Sequence, residues 1–122
     1  MSEDTRTLVA RTVRDLLEEV PALKPLKLVV AVELHGRGDV QELRLQLPDV
    51  SVTKELPTDA KVRVELRRDE FNRLAEKNHL ADWRAALSTG RVKVTGVQQY
   101  LQLIAQVVER QEERARTKKA RR

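Results

Sequence analysis

The chain has 122 residues, 40% hydrophobic and 35% charged, with no cysteine and a net charge of +5. That length fits one domain with one core, and the lack of cysteine excludes disulfides, thiolate catalysis and zinc–thiolate sites. Phe71, Trp83 and Tyr100 are the whole aromatic set, too few for the stacked-ring platforms that grip single-stranded nucleic acid.

The charge is unevenly spread. Residues 110–122 hold seven Lys or Arg and two acids, whereas 1–109 balance basic against acidic side chains. The basic character therefore belongs to the C-terminal tail, and the body is neutral. The polar first residues carry no apolar signal-peptide core, and no apolar run reaches membrane-spanning length. A cytoplasmic location is expected.

Residues 5–20 show Val9, Val13, Leu16, Leu17 and Val20 on one helical stripe, with Thr5 as the expected N-cap and Pro21 and Pro25 ending the helix. In 26–34, Leu26, Leu28, Val30, Val32 and Leu34 alternate with a second face that carries Lys27 and Glu33. The segment 35–39 (HGRGD) supplies a hairpin turn. In 40–47, Leu43, Leu45 and Leu47 point inward. A short strand begins at Val50 and Val52, and residues 60–66 alternate Ala60, Val62, Val64 and Leu66 against Lys61, Arg63 and Glu65. Asp69 is the expected N-cap of a helix bearing Phe71, Leu74 and Ala75, which breaks at Asn78 and His79. A second helix carries Leu80, Trp83, Ala86 and Leu87 and is capped by Gly90. A last strand, 91–95, leads through Gly96 into a long helix with a stripe of Val97, Tyr100, Leu101, Ile104, Val107 and Val108.

Strict alternation means one wet and one covered sheet face, as in antiparallel or mixed sheets. With the element order α-β-β-β-β-α-α-β-α, it predicts a two-layer α+β fold. About five mostly antiparallel strands would form the sheet, with helices covering one face. Residues 1–109 would form a single domain, and 110–122 a basic tail, either a helix extension or disordered.

Several stretches go further: the strand 60–66 (AKVRVEL), Asp69 and Phe71 opening a helix with Leu74, the helical piece 81–90 (ADWRAALSTG), and above all the strand 90–96 (GRVKVTG) before an apolar helix. Together they resemble the sterol carrier protein type 2 family of lipid-binding domains, and the likeness extends over residues 25–109. The resemblance implies a five-stranded sheet backed by helices, an apolar tunnel for sterols, fatty acids or acyl-CoA, and no catalysis of its own.

Phe71, Leu74, Trp83, Leu87, Tyr100, Leu101, Ile104 and Val108 are the candidate lining of such a cavity; the competing reading is that they simply form the core. Trp83 and Tyr100 join an apolar ring to a hydrogen-bonding tip, suited to a ligand head group or, more commonly, to a structural partner. His35, in a Gly-rich turn, and His79, at a helix break, have no partners at metal-ligand spacing, and no catalytic triad can be assembled. Neither an enzyme, a metal site nor a cofactor is expected. Gly36 and Gly38 lack phosphate-loop spacing. The expected function is non-catalytic binding, with transfer, of an apolar lipid-like molecule. In the tail, Arg114, Arg116, Lys118, Lys119, Arg121 and Arg122 are candidates for contact with an anionic membrane. Nucleic-acid binding through the same charges, or a protein-interaction module without a cavity, are the alternatives.

Overall fold

The computed structural model describes residues 4–120, with side chains described through Arg116. The chain runs through helix α1 (Thr5–Glu19), a short 3-10 helix (Pro21–Leu23), strands β1 (Leu28–His35), β2 (Val40–Leu47), β3 (Ser51–Thr53) and β4 (Val62–Arg67), helices α2 (Arg68–Lys77) and α3 (Leu80–Ser88), strand β5 (Val92–Gly96) and helix α4 (Gln98–Ala120). The five strands form one sheet in the order β3-β2-β1-β4-β5. β1 pairs antiparallel with β2 and parallel with β4, while β2–β3 and β4–β5 are antiparallel. This is the expected two-layer α+β architecture with a mixed sheet.

Register explains the two faces. Across the strands, Val32 sits between Leu43 and Val64, and Val64 faces Val94. The adjacent inward row runs Leu34, Leu66, Val92, and another runs Leu45, Val30, Val62. Leu34 and Leu43 are fully buried. Each such side chain taken out of water contributes roughly 1.5–3 kcal/mol, so the rows commit this face to a cover. The helices provide it: α1 lies against β3, α2 against β4 and β1, α3 against β5, and α4 against β5 and the 3-10 helix.

The caps differ from the sequence expectation. Thr5 is the first helical residue and Asp4 holds the N-cap position of α1, without a side-chain capping bond. Likewise α2 starts at Arg68, with Arg67 as its N-cap. β4 passes into α2 with no intervening loop, so Asp69 falls inside the first turn, where its Oδ1 accepts from the Glu70 N–H at 2.8 Å. A carboxylate there still complements the helix dipole.

Asn78 fastens the helix layer. It closes α2 in the left-handed region (φ 51°, ψ 50°), its N–H donating to the Leu74 carbonyl. Its Nδ2 donates to the backbone carbonyl of Thr12 in α1 at 3.0 Å, and its Oδ1 accepts from the Trp83 indole N–H in α3 at 2.8 Å. One side chain thus ties three helices. Beside it, the Leu80 N–H at the start of α3 donates to Glu19 Oε1 at the end of α1, at 3.3 Å.

Two stability predictions follow from this geometry. Gly96 has φ +145°, and a Cβ there would run into the Lys61 carbonyl oxygen and lie 2.8 Å from Val62 Cα. Gly96→Ala should therefore lower the unfolding free energy by about 2 kcal/mol or more in urea denaturation. At position 78, Gly relieves the left-handed backbone but removes both side-chain bonds. Asn78→Gly should still cost about 2 kcal/mol, and Asn78→Ala more; equal stability of wild type and Asn78→Gly would remove the clamp.

Candidate functional site

The apolar layer between sheet and helices is the place to look for a binding site. On α2, Phe71 and Leu74 are buried. They share the apolar side of that helix with Ala75. On α3, Trp83 packs against the core and meets Phe71 ring to ring, centroids 6.2 Å apart and planes tilted by 58°, a favourable aromatic geometry. From α4, Tyr100, Leu101 and Ile104 lean on the same core, half-buried. Val108, a turn further on, is buried. Six of the eight proposed lining residues are thus gathered in or against one apolar cluster, and Val108 is buried outside it. Leu87 is neither. It is 44% exposed, because it follows the fully buried Ala86 in α3 and is rotated about 100° away from it.

Trp83's polar tip is already engaged by Asn78, which favours its structural role over head-group recognition. α4 is covered unevenly. Of its apolar residues before Val108, Leu103 is 44% exposed, while Tyr100, Leu101, Ile104 and Val107 are half-buried. Val97, just ahead of the helix, is 42% exposed. An ion pair between Arg84 Nε and Glu112 Oε1 at 3.3 Å joins α3 to α4. Around the layer's rim, Glu70 on α2 receives Arg73 at 2.6 Å and Arg91, at the entry to β5, at 3.2 Å. The Arg73 hydrogen bond, aided by Arg91's charge, holds the Glu70 carboxyl below the usual carboxylate range.

The tail does not break from the body. α4 continues to Ala120, with Arg110, Arg114 and Arg116 exposed. The side chains of Lys118 and Lys119, and the whole of Arg121 and Arg122, lie outside the described residues. No helix among the described residues is long and apolar enough to cross a membrane.

The opposite sheet face holds what sequence reasoning missed. His35 is not in a turn; it is the last residue of β1. Its Nε2 lies 3.1 Å from Glu33 Oε1 and 3.8 Å from Glu65 Oε1. Arg63 Nη1 donates to Glu33 Oε2 at 2.7 Å and to Glu42 Oε1 at 2.9 Å. These bonds, that to Glu42 foremost, raise the guanidinium pKa. The expectation that His35 has no such partners is corrected. Glu65 stands thirty residues away in sequence, and only the parallel β1–β4 register brings it alongside. Ending the strand at Leu34 left His35 in the turn; the extension of β1 to His35 and the strand pairing were the missing signals. Beyond the β1–β2 hairpin opens a shallow depression of about 580 Å³, lined by Asp39, Gln41, Glu42, Lys54 and Arg68 among others. It is mainly polar and lies apart from the apolar layer.

No family model matches the sequence, and no curated protein is significantly similar to it. Solved structures do match. Palmitated SCP2L2 from Aedes aegypti superposes with a TM-score of 0.57 at 16% identity, over 82% of this chain and 93% of that one. Sterol carrier protein 2 from Yarrowia lipolytica, in its apo form, gives 0.55 at 20% identity, over 85% and 86% of the two chains. The UbiJ-SCP2 ubiquinone synthesis protein gives 0.52 at 23% identity, over 88% and 99%. At such identities the shared property is the path of the backbone, and on that ground the chain is an SCP2-like domain in its fold.

Proposed function

We propose that this protein binds an apolar, lipid-like molecule between the sheet and helices α3 and α4, without catalysing a reaction on it. The carrying observation is the incomplete cover of α4: Tyr100, Leu101, Leu103, Ile104 and Val107 are all left at least partly accessible on a helix that leans on the core. Apolar surface in that state gains by contact with an acyl or isoprenoid tail. Covering about 200 Å² of it contributes roughly 5 kcal/mol at 25 cal/mol per Å², before the cost of immobilising the ligand. The fold shared with the sterol carrier protein structures supports the same reading. In this proposal Phe71 and Trp83 are assigned to the floor of the site, and Leu101 and Ile104 of α4 to its roof.

The neighbours' names set a panel: one is described as palmitated and another as a ubiquinone synthesis protein. Palmitate, an acyl-CoA, a sterol and a long-chain quinone should therefore be compared by thermal shift, alongside mass spectrometry of lipid extracted from the purified protein. At least one should raise the melting temperature in a concentration-dependent way, and Ile104→Asp should abolish the rise while retaining the far-ultraviolet circular dichroism of the wild type. Flat melting curves across the panel, with no copurifying lipid, would defeat the proposal.

The exposed Arg110, Arg114 and Arg116 extend the proposal to delivery. Basic residues near an anionic membrane contribute about 1 kcal/mol each. The double substitution R114E/R116E should slow ligand transfer to vesicles containing anionic lipid several-fold and leave transfer to neutral vesicles and ligand affinity unchanged. A transfer rate identical to wild type on anionic vesicles would separate the tail from delivery.

A further inference from the structure

We propose that the outer face of the sheet carries a binding site for a divalent transition-metal ion, formed by Glu33, His35 and Glu65. The site is independent of the lipid proposal, since it lies on the face of the sheet turned away from the apolar layer.

The strands fix the three ligands. Glu33 and His35 are two residues apart on β1 and so share a face. Glu65 is the direct register partner of Glu33 on β4. No loop intervenes, and sites built on strands hold geometry better than sites on loops. One donor atom from each residue falls in a group whose members all lie within 4.8 Å of one another. His35 Nε2 is 3.1 Å from Glu33 Oε1 and 3.8 Å from Glu65 Oε1. An ion bound tetrahedrally at about 2.0–2.2 Å separates its ligand atoms by about 3.3–3.6 Å, the edge of that tetrahedron. The two distances bracket this edge and the third lies within 4.8 Å, so side-chain adjustments of up to about an ångström would bring all three donors onto an ion.

Charge points the same way. Glu42, Glu33 and Glu65 occupy one row across three neighbouring strands, and like charges directly opposed on a sheet are destabilising. Arg63 answers Glu42 and Glu33. Among the described residues, the ion-pair partner of Glu65 is His35 alone, and Lys93 faces Glu65 in register without forming an ion pair. A dication held by a neutral imidazole would supply the missing positive charge. Arg63 also has a positioning role: by holding Glu33 Oε2 it leaves Oε1 turned toward His35, as a supporting hydrogen bond orients a metal-bound carboxylate.

The donor set selects the metal. One imidazole nitrogen and two carboxylate oxygens suit Zn²⁺, Co²⁺ or Ni²⁺, whereas Ca²⁺ and Mg²⁺ take six or more oxygens. Side-chain exposures of 41%, 17% and 35% for His35, Glu33 and Glu65 leave the fourth position open to water.

The test uses the full chain, stripped with chelator and titrated with Co²⁺ by visible absorbance and with Zn²⁺ by calorimetry. One ion per chain should bind, the cobalt spectrum should show low coordination number, and the melting temperature should rise with Zn²⁺ and fall back with EDTA; Mg²⁺ should leave it unchanged. His35→Ala and Glu65→Gln should each weaken binding by more than about 100-fold, beyond the loss typical of a supporting residue. His79→Ala, altering the exposed histidine before α3, should bind as wild type. Glu65→Gln nearly preserves shape and removes like-charge repulsion, so it keeps the test valid if His35→Ala fails to fold. Absence of saturable binding, undiminished binding in Glu65→Gln, or loss of binding in His79→Ala would each overturn the site.

Discussion

β1 makes opposite demands on its two sides. Leu28, Val30, Val32 and Leu34 face one way, and Ala31, Glu33 and His35 the other, a consequence of the two-residue period of a strand. Because β1 is the middle strand, with β2 on one side and β4 on the other, its register passes to both neighbours. A slip of one residue would place Glu33 under the helices and Leu34 in water. The apolar side therefore requires a lid of helices and the polar side a compensated array of charge, and both are present. Ala31 illustrates the second. It is fully buried on the outer face, between register partners Arg44 and Arg63, whose long stems cover it while their charged ends are paired.

Those demands were legible in the sequence because alternation is a local signal. Each strand, the α1 stripe, the break at Asn78 and the turn at Gly90 could be read from short windows, and the fold class came with them. The strand neighbours could not. β4 pairs with β1 in parallel only after β2 and β3 have been laid down, so the partners of His35 lay outside any local window. The misplaced caps have a related cause. Thr5 and Asp69 are good capping residues by type, yet the chain enters α2 directly from β4, and tertiary connection overrode local preference. At Leu87 the apolar residue was right and its direction wrong: in a nine-residue helix with one buried side, a one-residue step decides between core and solvent.

The helix layer is held unequally. α1, α2 and α3 meet at Asn78, whose two side-chain bonds connect all three, and Glu19 adds a bond from α1 to α3. Glu70 links α2 to the start of β5 through Arg91. α4 has the Arg84–Glu112 pair, partly exposed and so worth about 1 kcal/mol or less, together with apolar side chains that are mostly half-covered. The helix with the weakest polar fastening among those described is thus also one that leaves several apolar side chains partly uncovered. Packing with spare capacity is where a guest molecule does most for stability.

α4 also joins two chemistries in a single rigid body. Its 23 residues extend about 35 Å, apolar over the core in the first half and basic in the last turns. Its base is pinned, since the Val97 N–H donates to the Lys61 carbonyl at 2.9 Å, immediately after the close approach of Gly96 to the β4 entry. A helix without a break, pinned at its base and held further along by Val108 and the partly exposed Arg84–Glu112 pair, passes a pull on its basic end along its length. Attraction of its basic end to an anionic surface would be felt at Leu101 and Ile104, the residues assigned to the roof over the ligand. On the proposed function, arrival at a membrane and loosening of the roof are then the same motion, and a flexible segment between body and tail would uncouple them.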